Sequence, residues 1–362
     1  MAHLLIENLT KNFGGVSAIK DLNIEIHDGE FFVLLGPTGA GKTTTLRCIA
    51  GLEKADAGSI HIDHQIVNGW GPAERNVAMV FQHYSLYPNY TVRKNLEFPL
   101  KSKIRNLTAS DIAQRVKKAA KTLQIEHLLD RKTDKLSGGE MQRVSIGRAI
   151  VRSPKIFLMD EPLSSLDAKL RELLRSELKY LQKNLGATFL YVTHDQIEAM
   201  TMGERIGVLR NGTLLQIGEP YEVYNHPANT YVAKFVGTPT MNLLSGRIQG
   251  NRLVISPEKF ELELSQDVLK RIYGFHGELE VGIRSEDITL DTDNGVEASV
   301  YGIENTGMSK IVSLKIADLL LKVTIAAEVS LDLDTMIRFQ MKQEKLHFFN
   351  PTTGDNLLKN SC

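Results

Sequence analysis

Gly36-Pro37-Thr38-Gly39-Ala40-Gly41-Lys42-Thr43 satisfies the pattern G-x-x-x-x-G-K-[ST] at every fixed position. Its flanks decide how it reads. Ahead of it, Glu30-Phe31-Phe32-Val33-Leu34-Leu35 has the texture of a short buried strand; behind it, Thr44-Thr45-Leu46-Arg47-Cys48-Ile49-Ala50 reads as a helix stopped by Gly51. Strand, glycine loop and helix in that order suit a phosphate. Glycines let successive backbone N–H groups turn onto an anion, and the helix aims its positive end at the same point. Lys42 adds a mobile cation for β- and γ-phosphates, and the Thr43 hydroxyl, with Thr44 beside it, is placed to ligate Mg²⁺.

Working outward, 362 residues predict about two domains. Forty-three basic residues balance 43 acidic ones, which argues against a dedicated nucleic-acid binder and leaves no polybasic membrane anchor. Two cysteines, Cys48 and Cys362, form neither a disulfide framework nor a metal cluster and suit a reducing, intracellular setting. Met1 to Thr10 lacks the basic start and apolar run of a signal peptide. No apolar run approaches the roughly 20 residues that cross a bilayer, so business with a membrane is expected to go through a partner.

Along the chain, Phe13 follows a strand-like stretch and reads either as an adenine-stacking ring or as a packing residue. Val77 to Phe81 forms an apolar strand that delivers Gln82 to its carboxyl end, the edge where open α/β sheets bind ligands; a neutral amide there suits Mg²⁺ and an attacking water. Tyr84, Leu86, Tyr87 and Tyr90 are apolar enough for a docking surface or a core. Ala109 to Gln124 has helical spacing. In Leu136-Ser137-Gly138-Gly139-Glu140-Met141-Gln142-Arg143, Ser137 reads as the N-cap of a helix reaching about Ser153, and Ser137, Gly138 and Gly139 make a second anion site. Ile156 to Asp160 is a buried strand ending in adjacent carboxylates: Asp160 for the metal shell, Glu161 to take a proton from water attacking the γ-phosphate. Asp167 opens a charged helix to about Leu185, and the strand Thr188 to Val192 leads to His194, which as a neutral imidazole suits a γ-phosphate or the water. Asn211-Gly212 marks a hairpin, and a terminal helix carries Val223, Tyr224, Tyr231, Val232 and Phe235. From Leu243 onward only short strands and turns are expected, an all-β domain plausible as small OB-type barrels with a role in protein contacts or regulation.

Together and in this order, these motifs resemble the ATP-binding subunit of ABC transporters, with Leu136-Ser137-Gly138-Gly139 the most discriminating. Pro72-Ala73-Glu74-Arg75, Thr238-Pro239-Thr240-Met241-Asn242 and Gly282-Ile283-Arg284-Ser285-Glu286-Asp287 are similar to stretches of the carbohydrate-importer branch, the maltose and sn-glycerol-3-phosphate type. The resemblance implies an α/β P-loop NTPase domain of the ABC type over 1–235, with an antiparallel β subdomain and a helical subdomain, then an all-β domain of OB-like barrels over 236–362. It implies ATP and Mg²⁺ as cofactors: Phe13 on adenine, residues 36 to 44 on the phosphates, and Thr43, Gln82 and Asp160 on the metal. Glu161 is then the general base, Lys42, Gln82 and His194 complete the catalytic set, and Ser137, Gly138, Gly139 and Asp167 serve a site shared with a second subunit, identical or paralogous. Further implied partners are two integral-membrane permease subunits and, indirectly, an extracytoplasmic solute-binding protein, with the chain peripheral on the cytoplasmic face of the inner membrane and no nucleic acid bound. Glu140, Ser165 and Ser285 depart from the usual glutamine, asparagine and proline. Polyamine, metal or anion import stays open, as does a soluble ABC ATPase acting on nucleic acid or ribosomes, although the coiled-coil insertion or paired domains common in the latter are missing.

Overall fold

The computed structural model describes residues 2–102, 106–255, 259–272, 275, 277–291 and 294–358; Cys362 lies outside the described residues. Contacts divide the chain into Met1–Pro220 and Tyr221–Cys362, earlier than the 235/236 division read from the sequence.

The first unit runs β1 (Leu4–Phe13), β2 (Val16–Ile26), β3 (Phe31–Leu35), α1 (Lys42–Ala50), β4 (Ala57–Ile62), β5 (Gln65–Ile66), β6 (Val77–Val80), α2 (Val92–Glu97), α3 (Ala109–Thr122), α4 (Gly138–Ile150), β7 (Ile156–Asp160), α5 (Ala168–Leu185), β8 (Thr188–Thr193), α6 (Gln196–Met202), β9 (Arg205–Arg210) and β10 (Thr213–Gly218). Its central sheet has the order β10-β9-β3-β8-β7-β6. From β9 to β6 the strands are parallel, and β10 returns antiparallel through Asn211-Gly212, both at positive φ as the hairpin signal requires. Every residue of β3, β7 and β8 is buried, the reason those segments read as unbroken apolar runs rather than alternating ones. A second, antiparallel sheet of order β2-β1-β4-β5 shares an apolar core with the central sheet, where Leu4, Ile6 and Ile60 meet α1 residues Leu46 and Ile49 and the strand residues Leu34 and Leu158.

Register sets the site. Leu35 pairs with Thr193 and Asp160 with Val192, so β3, β7 and β8 end at one level and release Gly36, Glu161 and His194 side by side. Two elements end earlier than the sequence predicts. β6 stops at Val80, the last residue paired with β7, leaving Phe81 exposed. α4 stops at Ile150, because Pro154 disfavours helical backbone before it and Ser153 turns to φ 47°.

The second unit comprises α7 (Pro220–Asn225), which opens on the last residue of the first unit, α8 (Thr230–Phe235), β11 (Asn242–Gln249), β12 (Arg252–Ile255), β13 (Phe260–Glu263), α9 (Gln266–Arg271), β14 (Glu278–Ile283), β15 (Ile288–Asp291), β16 (Val296–Asn305), β17 (Ser309–Ile316), β18 (Leu319–Ala326), β19 (Met336–Met341) and β20 (His347–Phe349). Two antiparallel sheets, β13-β12-β11-β14-β20 and β15-β19-β16-β17-β18, enclose one core. The expected terminal helix is two helices, interrupted where Pro227 cannot continue α7. Buried Arg284 ties both to the sheets, donating to the carbonyls of Tyr224, Ala233 and Val236. α9 was not expected; Ser265 caps it, and Val268 and Ile272 bury one face.

Candidate nucleotide site

The glycine loop is fixed from outside itself. A Cβ on Gly36 would meet the Leu209 carbonyl at 2.4 Å, and one on Gly41 would meet the Ala18 carbonyl at 2.3 Å, so β9 and β2 both demand glycine. Gly41 also takes φ 106°, a region side chains disfavour, and as the N-cap of α1 it brings no side-chain acceptor to the first N–H groups. Those N–H groups therefore face the loop together, with Lys42, only 4 % exposed, beneath them. Lys42 Nζ donates to the Gly36 and Pro37 carbonyls, each at 2.9 Å, and lies 3.3 Å from Glu161 Oε1. Pro37, Thr38, Gly39 and Ala40 form the loop between strand and helix, and Thr44 stands half-buried in the first turn of α1.

Thr43 Oγ1 donates to Asp160 Oδ1 at 2.8 Å. Burial lifts the Asp160 carboxyl above its ordinary range, against the Thr43 hydrogen bond; the Glu161 charge adds to the rise and Lys42 opposes it. A hydroxyl and a buried carboxylate in contact, with an amide on the same sheet edge, make an all-oxygen donor set of the kind Mg²⁺ takes, so the residues fit that ion. Glu161 adopts φ 44°, and its N–H donates to Val192, fixing its carboxylate between Lys42 and His194 Nδ1, the latter at 2.7 Å from Oε2. Gln82 joins indirectly: its amide donates to Ser164 Oγ at 3.3 Å, which donates to the Glu161 carbonyl at 2.9 Å.

The structure thus brings Gly36, Pro37, Lys42, Thr43, Asp160, Glu161 and His194 into one chain of contacts, with Gln82 two hydrogen bonds away through Ser164. The second glycine pair stands elsewhere. Ser137 caps α4, its N–H taken by the Glu140 carboxylate at 2.7 Å, which that bond holds below the usual carboxylate range. A Cβ on Gly138 would approach Tyr84 and Leu166, and one on Gly139 would meet Leu170, so this helix start packs on α5. Asp167 is the N-cap of α5, accepting from Leu170 N–H. Phe13 lies beside the β1–β2 turn, 46 % exposed, with Lys11 over its ring.

One feature carried no sequence signal, and a second showed only as an apolar, tyrosine-rich stretch. Buried Glu198 accepts from Tyr191 at 2.9 Å and from Thr193 at 2.6 Å, bracing the strand end that carries His194; in one dimension it is a glutamate in a short helix. A groove of about 240 Å³ is lined by Leu52, Phe81, Tyr84, Arg148 and Arg152 among others. Around it Tyr87, Tyr90 and Phe98 pack ring on ring, with Arg148 over Tyr87. Tyr84 and Tyr87 are half-buried and Tyr90 and Phe98 exposed, so the cluster belongs to an apolar surface beside the groove rather than to a core.

The ABC transporter family matches residues 19–164, and the MalK OB fold domain matches residues 237–288. The chain is 45% identical to the trehalose/maltose import ATP-binding protein MalK of Thermococcus litoralis, over 98% of this chain and 99% of that one. It is 41% identical to the sn-glycerol-3-phosphate import ATP-binding protein UgpC of Ruegeria pomeroyi, over 99% of each. Among solved structures, CbiO1 of Clostridium perfringens, part of an ABC transporter complex, aligns with a TM-score of 0.57 and 31% identity over 61% of this chain and 89% of its own. A dimeric ATP-binding cassette bound to ADP and Pi aligns with a TM-score of 0.54 and 34% identity over 60% of this chain and 98% of its own.

Proposed function

The chain belongs to the ATP-binding subunits of ABC importers of the sugar and glycerol-phosphate type, and on that premise we propose how its residues divide the work of ATP hydrolysis. It is an ATPase subunit that acts with membrane permease components. The observation that carries the residue assignment is Glu161, held between Lys42 and His194 at the sheet edge beside the Thr43–Asp160 pair.

In this reading backbone N–H groups within residues 36 to 44, Pro37 excepted, and the Lys42 ammonium bind the β- and γ-phosphates, and Phe13 stacks on the adenine. Lys42 spends its three donors on Gly36, Pro37 and Glu161, so binding a phosphate exchanges one of these contacts for a stronger charge-assisted one. Thr43, Asp160 and Gln82 would hold Mg²⁺, which when bound neutralises charge on the phosphate oxygens. Glu161 accepts the proton of the attacking water; His194 orients the Glu161 carboxylate and, once ATP is bound, exchanges that contact for a hydrogen bond to the γ-phosphate. Ser137, Gly138 and Gly139, displaced onto α4, act on the ATP of a second copy or close paralogue, and Asp167 reaches across the same interface. The nucleotide-binding domain extends over 1–235 and the β-rich domain over 236–362.

The groove at Phe81, Tyr84 and Arg148 receives a permease segment, so closure of the pair pulls on a pathway through two permease subunits fed by an extracytoplasmic binding protein. Among the described residues no helix is long and apolar enough to cross a membrane, in keeping with a peripheral place on the cytoplasmic face. The solute is a sugar or a glycerol-phosphate-like compound. Affinity purification from solubilised membranes tests this: integral permeases should co-purify in an ATP-sensitive way, and recovery of ribosomes or nucleic acid in their place overturns it.

A further inference from the structure

The antiparallel sheet of the first unit gathers imidazoles on its surface. Glu25 is on the exposed face of β2 and His27, the residue after the strand ends, is exposed as well, with Ile26 buried between them. Pairing of Leu4 with Ile26 sets His3, just before β1, beside the same pair. His3 Nε2 lies 2.9 Å from Glu25 Oε1, and one ligand atom from each of His3, Glu25 and His27 falls within 4.8 Å of the other two. The His64 ring stacks on His3 at 5.4 Å between centroids.

Two imidazole nitrogens and a carboxylate oxygen form a donor set of intermediate softness, which selects Zn²⁺ and its first-row neighbours over Mg²⁺ and Ca²⁺. Ligands about 2.1 Å from a tetrahedral zinc stand roughly 3.4 Å apart, so the three atoms need only modest rotation of exposed side chains to share one ion. The nearby Arg205 cation does not oppose a metal unbalanced: it is 3.3 Å from buried Glu30. Nδ1 of His3 is buried without a partner; no outer acceptor fixes the ring, so the affinity is that of a surface site rather than a structural core.

We propose that His3, Glu25 and His27 bind one Zn²⁺ ion, bridging the start of β1 to the end of β2, with water as fourth ligand. The bound ion pins the pairing of these strands and stabilises the folded chain by an amount that grows with the logarithm of free Zn²⁺ above the dissociation constant.

The test uses the full chain without added histidines, in excess Mg²⁺, with Zn²⁺ titrated against a chromophoric chelator. One equivalent should bind and raise the melting temperature. His27→Ala and Glu25→Gln should each weaken binding by at least the roughly 10–100-fold that loss of an outer-shell partner costs, and should remove the thermal shift. Both residues are exposed, so the variants should melt like the parent in a chelating buffer; Glu25→Gln keeps the shape if His27→Ala does not. His127→Ala, exposed on the helical side, should bind zinc as the parent does. Equal affinity in parent, His27→Ala and Glu25→Gln, or no saturation at one equivalent, overturns the proposal. Zinc affinity is read without turnover, so the result is independent of the ATPase assignment.

Discussion

His194 Nδ1 lies 2.7 Å from Glu161 Oε2. The two residues are 33 positions apart and meet because β7 and β8 are neighbours in register, Asp160 opposite Val192. With Lys42 3.3 Å from the other oxygen, the carboxylate is gripped at both ends, and its direction is set by the sheet.

Replacing that carboxylate should separate binding from chemistry. Glu161→Gln keeps the length of the side chain and an oxygen for Lys42 but cannot take a proton from water. ATP affinity should stay near that of the parent while hydrolysis falls ~10²–10⁴-fold. Equilibrium binding and single-turnover hydrolysis measure the two, and parent-like turnover would remove Glu161 as the base.

Asp160 should show a trade of stability against function. Burial raises its carboxyl, so the folded state holds the proton more tightly than the unfolded chain, and stability is lost as pH rises through the raised value. Without nucleotide or Mg²⁺, Asp160→Asn should melt higher than the parent at pH 7, and the gap should narrow as pH falls toward the unfolded carboxyl value near 3.8. Hydrolysis should be lost. Melting curves across that range decide; an asparagine variant no more stable at pH 7 contradicts the account.

Gly41→Ala should fail for two reasons in one position: φ 106° and a Cβ 2.3 Å from the Ala18 carbonyl. Strain of this kind costs about 1–3 kcal/mol, and relief by moving the loop spoils the N–H cradle. Expected are a lower melting temperature and loss of ATP binding by calorimetry. Parent-like affinity would show that the close approach to β2 is dispensable.

In the second unit His347 is buried and its imidazole is pushed down to about 4, chiefly by burial and secondarily by Arg284. Its stabilising contribution is complete above the unfolded value near 6.5 and is lost as pH falls from there to about 4, on the order of 3 kcal/mol at full extent. His347→Gln should flatten the fall in stability of the second unit over that window, as read by denaturant melts at pH 7 and pH 4.5. An unchanged pH profile would place the acid sensitivity elsewhere.

How much of this is legible in one dimension depends on how local the cause is. The glycine loop, the Ser137 cap, the helix end near Leu185 and the Asn211-Gly212 turn each depend on a few consecutive residues, and each is found where the residues place it. The ends of β6 and α4 are misjudged by a few residues, because a strand ends where its neighbour stops pairing and Phe81 has no partner to reveal that. α9 and the break between α7 and α8 are short, and brief helices carry too few turns for periodicity to show. Glu198 gives no linear sign of its partners Tyr191 and Thr193, and the Glu25-x-His27 pair gives none of His3, which the β1–β2 pairing brings to it.

The amino-acid order by itself determined the phosphate cradle, the acidic strand tip and the β-rich texture of the second half, since these follow from backbone freedom, hydrogen-bonding capacity and alternation along a short stretch. Only the tertiary structure decided that Glu161, His194 and Lys42 converge, that Ser137 stands apart on α4, and that imidazoles gather on the antiparallel sheet. The physical reason is register: hydrogen-bonded strands fix which distant residues leave a sheet at the same level, and no stretch of chain encodes its neighbour's position.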